Sequence, residues 1–180
     1  IGKWHLATEP QGFDYWKVLP GQGFYYNPTF RTSSGKEDIE GYCTDIVTDL
    51  SLDWLKEASK NDKPFMLMCQ HKAPHRNWMP ALRHLTLYDD VDIPEPATLF
   101  DRWEDNASVA QVQEMEIDRH MSMGYDCFGP RPDSATMNDN DRKLWRRYEQ
   151  AILRRLTPKQ LKAWNAAYEP KNNELRKLRL

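Results

Sequence analysis

The clearest apolar run in the chain is Pro64-Phe65-Met66-Leu67-Met68-Cys69-Gln70, followed at once by His71-Lys72-Ala73-Pro74-His75-Arg76-Asn77-Trp78. Its length suits a buried strand and is too short for a typical helix. Pro74 pushes Ala73 away from helical geometry, so the run breaks into a polar loop. A strand that ends in a loop carrying His71, Lys72, His75 and Arg76 delivers cationic and titratable groups to a sheet edge, where ligands bind in open α/β sheets. The pattern points to an anionic ligand.

Upstream of this run, Ile46, Leu50, Leu52 and Leu55 recur at helical spacing, with Val47 and Trp54 widening the stripe. The spacing predicts a helix capped by Thr44 or Asp45 and running to about Ser59, its apolar stripe covering a sheet. The charged stretch Lys56–Lys63 closes it. Helix, short loop and strand then form an α/β unit. Residues 9–30 set Gly12, Gly21, Gly23, Pro10, Pro20 and Pro28 among aromatic residues, the chemistry of loops and short strands. Gly23 to Phe30 reads as one strand of a hairpin that returns through Arg31–Gly35 towards Asp38–Tyr42. The aromatic residues there read first as a local core, with stacking on sugar rings as the alternative.

Downstream the pattern weakens. Met79-Pro80 opens a short helix to Tyr88, Asp89–Pro96 is extended, and Phe100–Asp105 and Val109–Met123 have helical character. Residues 124–139 read as a loop or linker. Asp139 or Asn140 caps a helix to about Leu156, with Leu144, Tyr148, Ala151, Ile152 and Leu156 on its buried side. Thr157-Pro158 starts another to about Tyr168, a cap followed by proline at the first helical position. The tail Pro170–Leu180 is basic, with nothing left to pack on.

Composition narrows the function. The 180 residues suffice for one domain with a real core, and a net charge of -2 gives no case for nucleic acid or an anionic membrane. No apolar run approaches a membrane span. No signal peptide precedes the first motif, and the chain opens at Ile1-Gly2-Lys3 in what reads as functional sequence, so a fragment is expected. Cys43, Cys69 and Cys127 lack CxxC spacing and read as partly buried thiols. His71 and His75 are four apart, like zinc ligands on a helix, but Pro74 lies between them and argues against a shared helical face. His71 reads as structural, and His84 and His120 as surface residues. Asn106-Ala107-Ser108 is a glycosylation sequon.

The first six residues, IGKWHL, put Lys3 and His5 two apart, on one face of an extended segment. Gly2-Lys3-Trp4-His5-Leu6, the blocks Gly12–Trp16 and Tyr25–Asn27, the helix start Gly41-Tyr42-Cys43-Thr44-Asp45, and Lys72-Ala73-Pro74-His75 together resemble the type I (formylglycine-dependent) sulfatases. The resemblance covers residues 1 to about 128. It implies an α/β fragment of an alkaline-phosphatase-like fold, an incomplete central sheet with flanking helices. Residues 1–128 would be the central part of the catalytic domain, and residues 129–180 a linker and helical segment of the same domain.

Carried over, Lys3 would hold a sulfate oxygen, His5 would contact the formylglycine and serve as base, and His75 would face the scissile ester. Arg76, Asn77 and Trp78 are candidates for contacts to the sugar, against a reading in which Trp78 is packed and Arg76 solvated. None of the three cysteines sits in the family's C-x-P-S/A-R motif, and the family's calcium ligands are not found. The expectation is a central slice with nucleophile and calcium ligands outside it, inactive alone. The implied substrate is N-acetylglucosamine 6-sulfate in glycosaminoglycan or mucin glycans; the implied location is periplasmic, extracellular or lysosomal. A phosphatase or phosphodiesterase of the same superfold and a non-catalytic glycan-binding fragment are the alternatives.

Overall fold

The computed structural model describes residues 1–122, 124–129, 138, 139, 142, 143, 145, 146, 149 and 153–177. It divides into two compact units, Ile1–Met79 with Ala151–Thr157, and Pro80–Gln150 with Pro158–Leu180.

The first unit is a small mixed sheet under one helix. Its strands are β1 (Gly2–Lys3), β2 (Lys17–Leu19), β3 (Thr29–Thr32) and β4 (Gly35–Asp38), in that spatial order. β1 and β2 are parallel, with Gly2 opposite Val18. β2–β3 and β3–β4 are antiparallel, with Val18 opposite Arg31 and Phe30 opposite Glu37. The hairpin is shorter than the sequence reading and begins later, because Gly23 and Pro28 punctuate the segment and Thr29, Phe30 and Thr32 supply its β-formers. Its turn is held by Thr32 Oγ1, which accepts from the Ser34 N–H at 3.2 Å. On its other side β1 bonds to the run after Pro64. The Lys3 N–H donates to Gln70 O at 2.7 Å and the Gln70 N–H to Ile1 O at 2.9 Å, a parallel bridge.

That bridge is all that forms of the buried strand expected over residues 64–70. Phe65, Met66 and Met68 are exposed, and Leu67 packs at the margin of the core. A continuous apolar run signals cover on both faces, and among the described residues Phe65 meets Trp54 edge-on at 5.3 Å on one side.

Helix α1 (Cys43–Ala58) covers the sheet. Its N-cap is Tyr42 rather than Thr44 or Asp45, with no side-chain cap; the Tyr42 carbonyl accepts from Ile46 at 3.0 Å. Asp45 falls in the first turn, where its charge suits the helix dipole. Ile46, Val47 and Cys43 join Ile1, Leu19 and Phe30 in the core, with Leu50 and Trp54 at its edge. Leu52 is exposed instead, since five residues beyond Val47 it has turned about 140° from the buried stripe.

The aromatic block packs as local core. Tyr25 and Tyr26 are buried and meet Tyr42 at 6.1 and 5.4 Å. Asn27 closes this block, accepting from the Gly41 N–H at 2.9 Å. Arg155 donates to the Asn27 carbonyl at 3.1 Å and lies 4.3 Å over the Phe24 ring.

In the second unit a 3-10 turn spans Leu82–His84, and the helical segments expected between 100 and 123 reduce to α2 (Ser108–Gln111) and α3 (Ile117–His120). His120 is partnered: its Nδ1 accepts from the Glu116 N–H at 3.1 Å. Asp139, Arg142, Lys143, Trp145, Arg146 and Glu149 are helical. Pro130, Pro132 and Asp133 of the expected loop, Leu144, Tyr148, Ala151 and Ile152 of the expected helix, and the last three residues lie outside the described residues.

Helix α4 (Pro158–Lys177) starts at the proline as expected but continues nine residues beyond Tyr168, with Pro170 inside it. The tail has a partner after all. Lys171 donates to Leu85 O at 3.1 Å and pairs with Asp89 at 2.5 Å. Trp164 is buried, stacked on Tyr168 at 4.4 Å and edge-on to Phe128 at 5.0 Å.

Candidate active site

Two segments that are distant in sequence meet in the first unit, the Lys72–Trp78 loop and the Pro20–Tyr25 segment. The loop is a turn in which the His75 N–H donates to Lys72 O at 3.0 Å. Its shape is fixed from outside by Tyr25, whose hydroxyl donates to the His75 carbonyl at 2.7 Å. Tyr42 holds the far end, donating to Met79 O at 2.9 Å. Tyr25 is buried, which pushes its phenol pKa up and keeps the hydroxyl protonated as a donor.

From sequence, Lys72 is one of the cations of the polar loop that follows the apolar run. It is instead buried, 6% exposed, with its amine donating to Gln22 O at 3.1 Å and lying 4.6 Å from the Tyr25 ring centroid. Burial first, and the neighbouring Lys3 amine second, lower its pKa to about 8. That the Lys3 charge acts on Lys72 sets the Lys3 amine in the same neighbourhood. The sequence signal was slight: a lysine between an apolar run and Ala-Pro.

His5 reaches the same place by a different route from the one the sequence suggested. β1 ends at Lys3, and His5 adopts φ 56 in the left-handed region, so alternation along a strand does not align the two side chains. What positions the His5 ring is Gln22, whose Nε2 lies 2.8 Å from His5 Nε2 and 3.5 Å from Nδ1. Gln22 therefore touches His5 with its side chain and Lys72 with its carbonyl. It was missed in the sequence, although a glutamine between Gly21 and Gly23 after Pro20 marks a tight turn.

His75 is half-buried, and its Nδ1 contacts the Arg76 carbonyl. Its Nε2 edge is the one left for a ligand. Arg76 is exposed, Asn77 buried, and Trp78 exposed at 42% with its indole N–H donating to Pro74 O at 2.6 Å. The packed reading of Trp78 does not hold, while Asn77 is part of the loop's interior. His71 stands outside this network, 3.8 Å from Cys69 Sγ.

The arrangement offers the amine of Lys72, with that of Lys3 nearby, and the titratable imidazoles of His5 and His75, residue types suited to a tetrahedral oxyanion. Among the described residues no three His, Cys, Asp or Glu side chains stand together as a metal site requires. There is thus, among the described residues, no carboxylate cluster of the kind that would hold calcium. Cys43 is buried, which pushes its thiol pKa up to about 11 and makes it a poor nucleophile. Among the described residues no helix is long and apolar enough to cross a membrane.

No family model matches the chain. An N-acetylglucosamine-6-O-sulfatase of Bacteroides thetaiotaomicron is 41% identical over 98% of this chain. The N-acetylglucosamine-6-sulfatase of Homo sapiens is 34% identical over 49% of it. A solved structure of a protein in complex with its substrate D-glucosamine-2-N,6-O-disulfate superposes with a TM-score of 0.81 at 38% identity, covering 98% of this chain and 35% of that one. The chain spans about a third of the length of the bacterial relative, 31%.

Proposed function

We propose that this chain, a sulfatase-family sequence over nearly its whole length, provides the sulfate-binding and proton-transfer wall of an enzyme that removes sulfate from a sulfated sugar. The observation that carries the reading is the bonded chain from the His75 loop through Tyr25 and Lys72 to Gln22 and His5. It links Lys72 and His75 of one resembling motif with His5 of the other.

The residue types suit the chemistry. A sulfate ester is singly anionic, and the Lys3 ammonium is the group that binds its oxygens as charge shifts in the transition state. The Lys72 amine, tied to Gln22, adds positive potential without contacting the ligand. A sugar alkoxide leaves poorly unless it is protonated, and His75 is the acid for that oxygen, an effect of about 10²–10⁴-fold. His5 is the matching base. By resemblance it serves a formylglycine, supplied with the calcium ligands by residues other than those described here. The exposed Trp78 face and Arg76 are the groups that meet the sugar, and Asn77 holds their loop. The names of the relatives favour N-acetylglucosamine 6-sulfate, and the family resemblance favours a periplasmic, extracellular or lysosomal setting.

The test is product release by the full-length protein from N-acetylglucosamine 6-sulfate and from its 6-phosphate. Inorganic sulfate from the first, with little phosphate from the second, is the expected result. Phosphate release alone assigns a phosphatase; neither product, with the glycan bound, assigns a binding protein.

A further inference from the structure

We infer that Arg155 is a positioning residue for the His75 loop, acting through Tyr25. The inference rests on the proposed role of His75 at the scissile ester. Arg155 lies in the Ala151–Thr157 segment, which belongs to the first unit although it is distant from it in sequence. It grips the strip that carries Tyr25 on either side of that residue. Its guanidinium lies 4.3 Å from the Phe24 ring centroid and donates to Asn27 O at 3.1 Å and to Thr29 Oγ1 at 2.6 Å. In return the Asn27 side-chain amide donates to Arg155 O. Asp38, 3.8 Å away and 78% exposed, adds little.

A lysine would not make this set of contacts. The guanidinium is planar, so one face stacks on Phe24 while its edge nitrogens reach acceptors two residues apart. The opposite side of the strip is pinned by backbone: the Asn27 N–H donates to Gly41 O at 2.8 Å and the Cys43 N–H to Tyr25 O at 2.7 Å. Asn27 itself sits at φ 47, a conformation that a residue other than glycine keeps only when its surroundings hold it. The main chain of Tyr25 is therefore fixed from two directions, by the start of α1 and by Arg155. Its ring lies 4.6 Å from the Lys72 amine, and its hydroxyl reaches His75 O at 2.7 Å. A shift of the strip by about half an ångström takes that hydrogen bond to the long end of the normal range. The His75 backbone, and the imidazole it carries, then loses the contact that sets the loop. Arg155 thus acts on His75 through the strip from Phe24 to Asn27 and one hydroxyl.

The experiment is carbon-13 NMR of the His75 carbonyl in the full-length protein, with histidine carbonyl carbons and arginine nitrogens labelled so that the His75–Arg76 peptide reports. The proteins are wild type, Arg155→Lys, Thr29→Val, Tyr25→Phe and the Arg155→Lys/Tyr25→Phe double variant, with kcat and KM on N-acetylglucosamine 6-sulfate beside the spectra. Tyr25→Phe should shift the carbonyl resonance as the hydrogen bond is lost. Arg155→Lys should move it part of the way in the same direction, and Thr29→Val by less. A residue that only stabilises the fold leaves the resonance of the folded protein in place. Arg155→Lys should also lower kcat about threefold with little change in KM. The double variant should match Tyr25→Phe alone, since the effect passes through the missing hydroxyl. A carbonyl resonance unmoved in Arg155→Lys and Thr29→Val, or losses in kcat that simply multiply in the double variant, overturn the inference. If Arg155→Lys does not fold, the isosteric Thr29→Val decides by the same resonance. That resonance needs no turnover, so a wild type that releases no sulfate refutes the sulfatase reading while the spectra still decide whether Arg155 sets the loop.

Discussion

Gly2→Ala is the substitution that most sharply separates the proposed architecture from a looser one. Gly2 sits at φ 103, and a Cβ there would lie 2.0 Å from the Gln70 carbonyl oxygen and 2.8 Å from its carbon. Both are backbone atoms, so no side chain can swing away. Holding a non-glycine residue in that region costs about 1–3 kcal/mol. Relieving the clash moves β1 off Gln70 and forfeits the bonds from the Lys3 and Gln70 amides, at about 1 kcal/mol each. The total is roughly 3–5 kcal/mol. At about 2–4 °C per kcal/mol for domains of this size, the melting temperature of the intact protein should fall by roughly 6–20 °C, read by differential scanning fluorimetry. Because Lys3 follows directly, kcat/KM on the sulfated sugar should fall by more than tenfold even at temperatures where the variant is fully folded. A variant that melts within a degree or two of wild type and keeps its kcat/KM would show that β1 is not locked against Gln70.

Three further outcomes follow from other contacts. Tyr25→Phe removes the donor to the His75 carbonyl; stability should drop by about 1 kcal/mol and kcat severalfold, measured by urea unfolding and steady-state kinetics. For Lys72, whose pKa burial lowers from 10.5 to about 8, the unfolded chain binds more protons between those values, so its contribution to stability rises with pH through that window. Between pH 7.5 and 9 the Lys72 contribution should be about 1 kcal/mol, absent in Lys72→Met; Cys43, raised from 9.0 to about 11, acts in the opposite direction from about pH 8 upward in both proteins. Trp164→Ala empties the Phe128–Trp164–Tyr168 cluster and should cost about 3–5 kcal/mol, seen as a lower unfolding midpoint.

The residues that carry the resemblance were legible because each is tied to a local pattern: an apolar run into Lys-Ala-Pro-His, and a Gly-Lys-x-His start. Their geometry was less so. His5 leaves strand geometry at φ 56, so period-two reasoning about Lys3 and His5 does not describe how the two side chains are placed. The burial of Lys72 depends on a carbonyl fifty residues away, which no local pattern encodes. The run 64–70 has the composition of a doubly covered strand but makes a single bridge, because strand formation depends on partners as much as on side chains. Helix α4 passes through Pro170, where Lys171 makes tertiary contacts that override local propensity.

The most direct test is a crystal structure of the full-length protein with N-acetylglucosamine 6-sulfate bound. The account predicts Lys3 Nζ and the imidazoles of His5 and His75 around one sulfate group, with His75 Nε2 about 3 Å from the bridging oxygen. A sulfate bound elsewhere, with these three side chains facing apart, would contradict it.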